Sequence, residues 1–345
     1  MKVLVTGGTG FIGSHAAEHL VHMGHEVTIL RRSRSGSRCP PKSVREVHGD
    51  ITHPGSLQRA FASQDVVIHA AGLVGSGGGS AHRRVNVDGT RNVIRAAIEC
   101  RVPRLVHLSS LIVHAAPVRG ALLHESSPLR ERFAAWDHYG RSKREAEDIV
   151  RHARPRIDTI ILRPGVVLGP RDRGVTPWVL RMLQHPYVPL VGRGDNRIPW
   201  VAVEELAEAV AVAGTSPGLA SETFDLAGKV QLTQRELFEH HARALGRSRT
   251  VVSVPAAAAR AGAWALDFLG VGGPRGAAPP WRMAVEIAAA DATVDCPRAA
   301  AALGWRGSAS CAETVRRAVG WERAVPTGAF PAAPGSGPQA SAVAR

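Results

Sequence analysis

Residues 1–20 read MKVLVTGGTGFIGSHAAEHL. Val3, Leu4 and Val5 form a short apolar run suited to a buried strand, and Gly7, Gly8, Gly10 and Gly13 follow at once. From Ser14 to Met23 the spacing turns helical. A strand that ends in glycines and opens into a helix presents bare backbone N–H groups at the positive end of a helix dipole, a place for a phosphate or pyrophosphate. Gly7, Gly10 and Gly13 make the pattern G-x-x-G-x-x-G, a variant of the dinucleotide fingerprint. Glycine also serves ordinary tight turns. The nucleotide reading therefore rests on where the pattern lies, between the first strand and the first helix.

The same alternation continues outward. Strand-like runs end at Leu30, Asp50, Gly72, Ser110 and Gly165, with helical stretches at 57–63, 86–100 and 142–154 between them. Such alternation implies right-handed βαβ units and a parallel, doubly wound sheet, in which ligands sit beyond the carboxyl ends of the strands. After about Pro170 prolines and glycines become frequent. "ETFDLAG" (222–228) reads as one more strand, and "TQRELFEHHARAL" (233–245) as a helix that Thr233 could cap. The expected organisation is a nucleotide-binding domain over 1–170, a smaller substrate domain over 171–323 with elements returning to the sheet, and a disordered Pro/Gly/Ala/Ser-rich tail over 324–345.

Composition narrows the function classes. The 345 residues carry a formal charge of +14, and only four of the 43 basic residues are lysines (Lys2, Lys42, Lys143, Lys229). The arginines are scattered, without the concentrated basic face or arm of a nucleic-acid binder, so no nucleic-acid partner is expected. They would still attract an anionic cofactor. The four cysteines lie far apart without a C-x-x-C pair, which argues against a zinc site and for a reducing compartment. No signal peptide is expected of a chain that starts on a core strand, and no apolar window reaches the ~18 residues of a membrane span. A cytoplasmic location is the expectation. The nearest approach to a span, residues 251–273, is broken by a proline, Arg260 and Asp267, and reads as a lid or core helix or as a segment lying on a membrane surface.

Three groups of residues could carry chemistry. Arg31 and Arg32 follow the second strand, where an acidic residue would accept the ribose hydroxyls of NAD and an arginine would accommodate the 2′-phosphate of NADP. This favours NADP(H), with NAD(H) left open. Asp50 ends the third strand, as an acceptor for an adenine amino group or as a turn residue. Tyr139 and Lys143, four apart in "YGRSK", share a face if helical. A phenol has a pKa of about 10. A neighbouring ammonium would lower it, making the pair a proton donor and acceptor for a carbonyl or alcohol. Ser110 could hold the substrate oxygen, or could simply satisfy backbone groups at its strand end. His15, His19 and His22 fall at i, i+4 and i+7, but no metal site is expected there, because the helix packs beside the cofactor and Glu18 is its only nearby carboxylate.

Together "TGGTGFIG", "GDI", "HAAG", "NVDGT", "LSS", "YGRSK" and "LRPGVVLGP" occur in the order used by the extended short-chain dehydrogenase/reductases, and the chain resembles the NAD(P)-dependent epimerase/dehydratase and 3β-hydroxysteroid dehydrogenase group of that family from Met1 to about Trp321. The resemblance implies a Rossmann-type α/β fold. It implies that Gly7, Gly10 and Gly13, with Phe11 and Ile12 in the same turn, hold the pyrophosphate. Asp50 and Ile51 would meet the adenine, Ala70, Ala71, Gly72 and Asn86 would line the cofactor, and Arg163 and Pro164 would begin the segment beside the nicotinamide. Ser110, Tyr139 and Lys143 would be the catalytic set, with Lys143 also bonding the nicotinamide ribose. A homodimer is a further implication of the resemblance.

Departures from the family pattern refine the expectation. Val113-His114-Ala115 replaces the "VYG" stretch frequent in sugar-nucleotide members, and Ser109-Ser110-Leu111 replaces the Thr-Asp-Glu run of sugar dehydratases. The acid and base for elimination of water are thus missing. The glycine-rich loop at 73–84 could move over the substrate, and Arg197 could meet an anionic group or serve structure alone. The leading expectation is an NADP(H)-preferring oxidoreductase interconverting a secondary alcohol and a ketone on a small-molecule substrate; the apolar composition around 256–269 loosely suits a steroid-like, terpenoid or polyketide alcohol. The alternatives are a nucleotide-sugar epimerase that retains NAD, and a non-catalytic NADP(H)-binding sensor or scaffold.

Overall fold

The computed structural model describes residues 1–32, 43–75, 77–115, 120–269 and 280–324. The expected disordered tail beyond Ala324 lies outside these residues, as do Cys39, Lys42 and Ser76. Seven parallel strands form the central sheet: β1 (Lys2–Thr6), β2 (Glu26–Arg31), β3 (Arg45–His48), β4 (Val66–His69), β5 (Arg104–Leu108), β6 (Asp158–Pro164) and β7 (Thr223–Leu226). Their order across the sheet is β3-β2-β1-β4-β5-β6-β7. The winding direction reverses between β1 and β4, which opens a crevice beyond their carboxyl ends.

Both faces of the sheet are covered, so its strands are apolar in both directions. On one face Val3, Val5, Ile29, Ile68, Val106 and Leu162 pack against Ala16, Ala17 and Leu20 of α1 (Phe11–His22), and against Leu206 and Val210 further along the chain. On the other face Leu4, Val67, Leu105 and Ile161 meet Val93 and Ala97 of α2 (Gly89–Glu99) and Val150 of α3 (His138–Ala153). Each fully buried Val, Leu or Ile contributes on the order of 2 kcal/mol. A third cluster, including Leu190, Trp200, Phe238 and Val315, forms the core of the chain beyond the sheet.

Two of the helix boundaries that differ from the sequence expectation have clear local reasons. α3 starts four residues earlier than the predicted 142, because Asp137 accepts from the Gly140 N–H at 2.9 Å and caps the helix. The predicted helix at 57–63 shrinks to 58–61, with a 3-10 turn before it and Ser63 in the left-handed region at φ 58° behind it. The predicted helix at 86–100 is α-helical over Gly89–Glu99, after a π-helical stretch over Arg83–Asp88. Residues 223–226 join the sheet beside β6, and Thr233 forms a reciprocal capping box with Glu236 at the start of the helix Gln234–Ala244.

The stretch at 251–273 forms a strand (Thr250–Val254) and then α4 (Ala256–Phe268), which packs on α5 (Trp281–Ala289); residues 270–273 lie outside the described set. Ala263 is the one buried residue of α4. Trp264 and Phe268 stack at 5.3 Å and are 56% and 74% exposed. No helix among the described residues is long and apolar enough to cross a membrane.

Candidate active site

The glycine turn is shaped by close contacts. Gly7 takes φ +73°, and its carbonyl accepts from the Gly10 N–H at 2.8 Å. A Cβ on Gly13 would lie 2.3 Å from that carbonyl oxygen, and one on Gly7 would lie 2.6 Å from Ala71 N. The turn after β1 and the residues after β4 (Ala70, Ala71, Gly72) therefore face each other at backbone distance across the crevice. No side chain caps α1, so its first N–H groups point toward the same place. This is a cradle that fits a dinucleotide pyrophosphate. Ile12 packs on the core while Phe11 stands edge-on to His15. Arg173 reaches over the turn to the Thr9 carbonyl at 3.1 Å, a contact the sequence did not signal.

At the far end of the crevice Asp50 accepts from both the N–H and the hydroxyl of Thr52, at 2.8 and 2.9 Å, which is the turn role. Burial works against its ionisation, but the Thr52 bonds and the charge of Arg32 lower its pKa overall. Ile51 is buried against Gly89. The two arginines separate: Arg31 forms a 2.7 Å ion pair with Glu46, whereas Arg32 is exposed beyond the end of β2. Asn86 is buried and ties the loop after β4 to α3, bonding the Leu73 backbone on both sides and Ser142 at 2.9 Å.

Ser110 stands just beyond β5, opposite the first turns of α3 that carry Tyr139 and Lys143. The Ser110 side chain lies close enough to the Tyr139 hydroxyl to pull its pKa down, and Ser110 Oγ accepts from the Ile112 N–H at 3.3 Å. Lys143 is buried and donates to the Leu108 carbonyl. Burial lowers the Lys143 pKa to about 8, against an upward pull from Glu147. The expected lowering of the Tyr139 pKa is not what the structure gives. Burial dominates and pushes it up to about 12, the nearby Ser110 hydroxyl acts the other way, and the Asp137 charge adds to the rise. Among the described residues, the one hydrogen bond of the Lys143 ammonium goes to the strand end, and its charge is not among the causes that shift Tyr139. On the other side of Tyr139 stands His82, ring centroids 6.2 Å apart, carried by the glycine-rich segment that follows β4.

Behind this face lies a buried ionic cluster. Arg163 has no exposed area and bonds Glu147 through Nη2 at 2.6 Å and Nε at 3.1 Å. Its Nη1 lies 3.4 Å from Asp225, and Asp225 in turn pairs with His114 at 2.8 Å. The Arg163 side chain is thus directed into the interior. Only the four-residue step from Lys143 to Glu147 could have hinted at the cluster from the sequence. Of the remaining candidates, His15 bonds the Pro170 carbonyl at 3.0 Å, and Arg197 is exposed with its backbone N–H on Asp291.

Comparison with known proteins agrees with this architecture. The model of the NAD dependent epimerase/dehydratase family matches residues 3–227. A 2-alkyl-3-oxoalkanoate reductase of Stenotrophomonas maltophilia is 32% identical over 258 residues, covering 72% of this chain and 77% of that protein. A 4-hydroxy-2-methyl-3-oxo-4-farnesyl-3,4-dihydroquinoline-1-oxide ketoreductase of Stigmatella aurantiaca is 28% identical and covers 89% of this chain and 92% of its own. Among solved structures, the Thermus thermophilus UDP-glucose 4-epimerase in complex with NAD superposes with a TM-score of 0.73 at 26% identity, covering 94% of this chain and all (100%) of that one.

Proposed function

Because the chain belongs to the NAD dependent epimerase/dehydratase family, we propose that it is an NADP(H)-preferring ketoreductase interconverting a ketone and a secondary alcohol on an apolar substrate. The observation that carries the reading is that one face of α3 turns Tyr139 and Lys143 toward Ser110 at the mouth of the crevice formed by Gly7 and residues 70–72. A bound nicotinamide would supply the hydride. Ser110 donates a hydrogen bond to the substrate carbonyl oxygen. Tyr139, protonated at neutral pH, hands its proton to that oxygen as negative charge develops there. The Lys143 ammonium offsets the charge left on the phenolate.

Two named reductases among the relatives support reduction, and the alkyl and farnesyl groups in their names support an apolar substrate. The exposed Trp264 and Phe268 fit that class, since α5 next to them meets the approach to Tyr139: Arg282 lies over the Trp136 ring at 5.7 Å. Support for NADP(H) rests on Arg32. The retained-NAD epimerase reading draws on the Arg31–Glu46 pair, which reduces the positive charge left for a 2′-phosphate.

The test is NADPH-dependent reduction of 2-alkyl-3-oxoalkanoates by the wild-type and Tyr139→Phe proteins. The variant should lose about 10²–10⁴ in kcat and still bind NADPH. Full turnover by Tyr139→Phe would remove the mechanism, and turnover of UDP-glucose without added cofactor would replace the reading by the epimerase.

A further inference from the structure

We infer that Glu147 is a positioning residue for the proposed catalytic set: it pins the strand end that carries Ser110 to the Tyr139–Lys143 face and supplies the negative charge that faces Lys143. The inference rests on the assignment of Ser110, Tyr139 and Lys143 above.

Tyr139, Lys143 and Glu147 recur at steps of four along α3 and so share one face. Across from them the end of β5 offers a matching partner at each step. Ser110 faces Tyr139, the Leu108 carbonyl accepts from Lys143, and Ser109 donates to Glu147 Oε2 at 2.7 Å. A slip of the helix by one turn would break all three contacts together. Glu147 anchors the register because it is itself fully held. Oε1 accepts from Arg163 at 2.6 Å and from Arg151 at 2.9 and 3.0 Å, and Oε2 accepts from Ser109 and from Arg163 at 3.1 Å. Arg163 is fastened in turn to Asp225 on β7, and Asp225 to His114. The end of β5, strand β6 and α3 thus meet at one carboxylate, and β7 joins through Arg163.

A buried ion pair is a poor way to gain stability alone, since apolar residues of similar volume often serve as well or better. What an apolar residue could not supply is charge toward Lys143. The groups facing Lys143 from other elements are His107 on β5 and His69 on β4, and burial keeps both imidazoles neutral, with the His69 pKa down at about 3. On its own helix Glu147 is the anion that favours the ammonium, while Arg163 and Arg151 pair with that same carboxylate.

With four lysines in the chain, Lys143 can be followed directly. Protein labelled with ¹³C at lysine Cε would be titrated by NMR, the Lys143 signal being assigned by its loss in Lys143→Arg. In Glu147→Gln the Lys143 midpoint should fall by about one unit or more, a tenfold loss of proton affinity. Arg151→Gln removes a half-buried cation that offsets Glu147, and should raise the midpoint. An unchanged midpoint in both variants would overturn the inference. If Glu147→Gln does not fold, Arg151→Gln decides alone: an upward shift supports the inference and no shift overturns it. The titration reads Lys143 without any substrate, so a failed ketoreductase assay and a failed inference are told apart.

Discussion

Nη2 of Arg163 lies 2.6 Å from Oε1 of Glu147, and neither side chain has exposed area. Burial opposes ionisation of Glu147, but the Arg163 bonds and charge, with help from Ser109 and Arg151, outweigh it and bring the pKa from 4.5 to about 2. The unfolded chain therefore takes up this proton at a higher pH than the folded one. The stabilisation is complete above about pH 4.5 and is lost as pH falls toward 2, and its full size is on the order of 3 kcal/mol. Urea unfolding of wild type and Glu147→Gln should differ by roughly that amount at pH 7. The difference should shrink below pH 4.5, and a gap as wide at pH 3 as at pH 7 would refute the assignment.

Arg31 and Arg32 are adjacent in sequence and unequal in the fold. Glu46 already compensates Arg31, while Arg32 is exposed beyond the strand end. If the cofactor is NADP(H), Arg32→Ala should weaken NADPH binding by tenfold or more, about 1.4 kcal/mol, and leave NADH binding nearly unchanged. Arg31→Ala should cost less. Following nicotinamide fluorescence on titration with each cofactor would measure both. Equal NADPH and NADH affinities in the wild type would return both arginines to surface roles.

Gly13 has no room for a methyl group, because a Cβ would stand 2.3 Å from the Gly7 carbonyl oxygen. That atom belongs to backbone and cannot swing aside. Gly13→Ala should therefore push α1 away from the turn and abolish tight cofactor binding. Gly24→Ala provides the contrast. Gly24 has open space around it but a φ of +83°, so its substitution should lower stability by about 1 kcal/mol without touching cofactor affinity. Fluorescence titration and thermal unfolding of the two variants would separate the effects, and tight cofactor binding by Gly13→Ala would contradict the cradle.

The parts of this molecule that were legible in the sequence are those written in short-range code. The glycine turn, the alternation of strands and helices, the Tyr139–Lys143 step and the Thr233 cap each span a few residues. Contacts set by sheet order were not legible. His114, Glu147, Arg163 and Asp225 are scattered over the chain and meet only because β5, β6 and β7 are neighbours. Arg31 finds Glu46 because β2 and β3 run parallel side by side. The direction of the Lys143 ammonium was hidden for a related reason. Helical spacing brings it near Tyr139, but the Leu108 carbonyl that receives it belongs to the strand across the way.

The two shifted pKa values give a signed expectation for the pH dependence of ketone reduction. Tyr139, with its pKa up at about 12, keeps its proton throughout the working range and imposes no limb of its own. Lys143, brought by burial to about 8, loses its charge as pH rises through that value. If the ammonium is what offsets the forming phenolate, kcat for reduction should hold from pH 6 to 7 and fall above 8, approaching tenfold per unit. In Lys143→Arg the guanidinium stays charged, so the residual activity, lower because the larger group fits the buried position poorly, should lose this limb. Initial rates with saturating NADPH across pH 6–10 for both proteins would decide it. A wild-type profile that stays flat to pH 10 would mean that the charge on Lys143 does not act on the proton transfer.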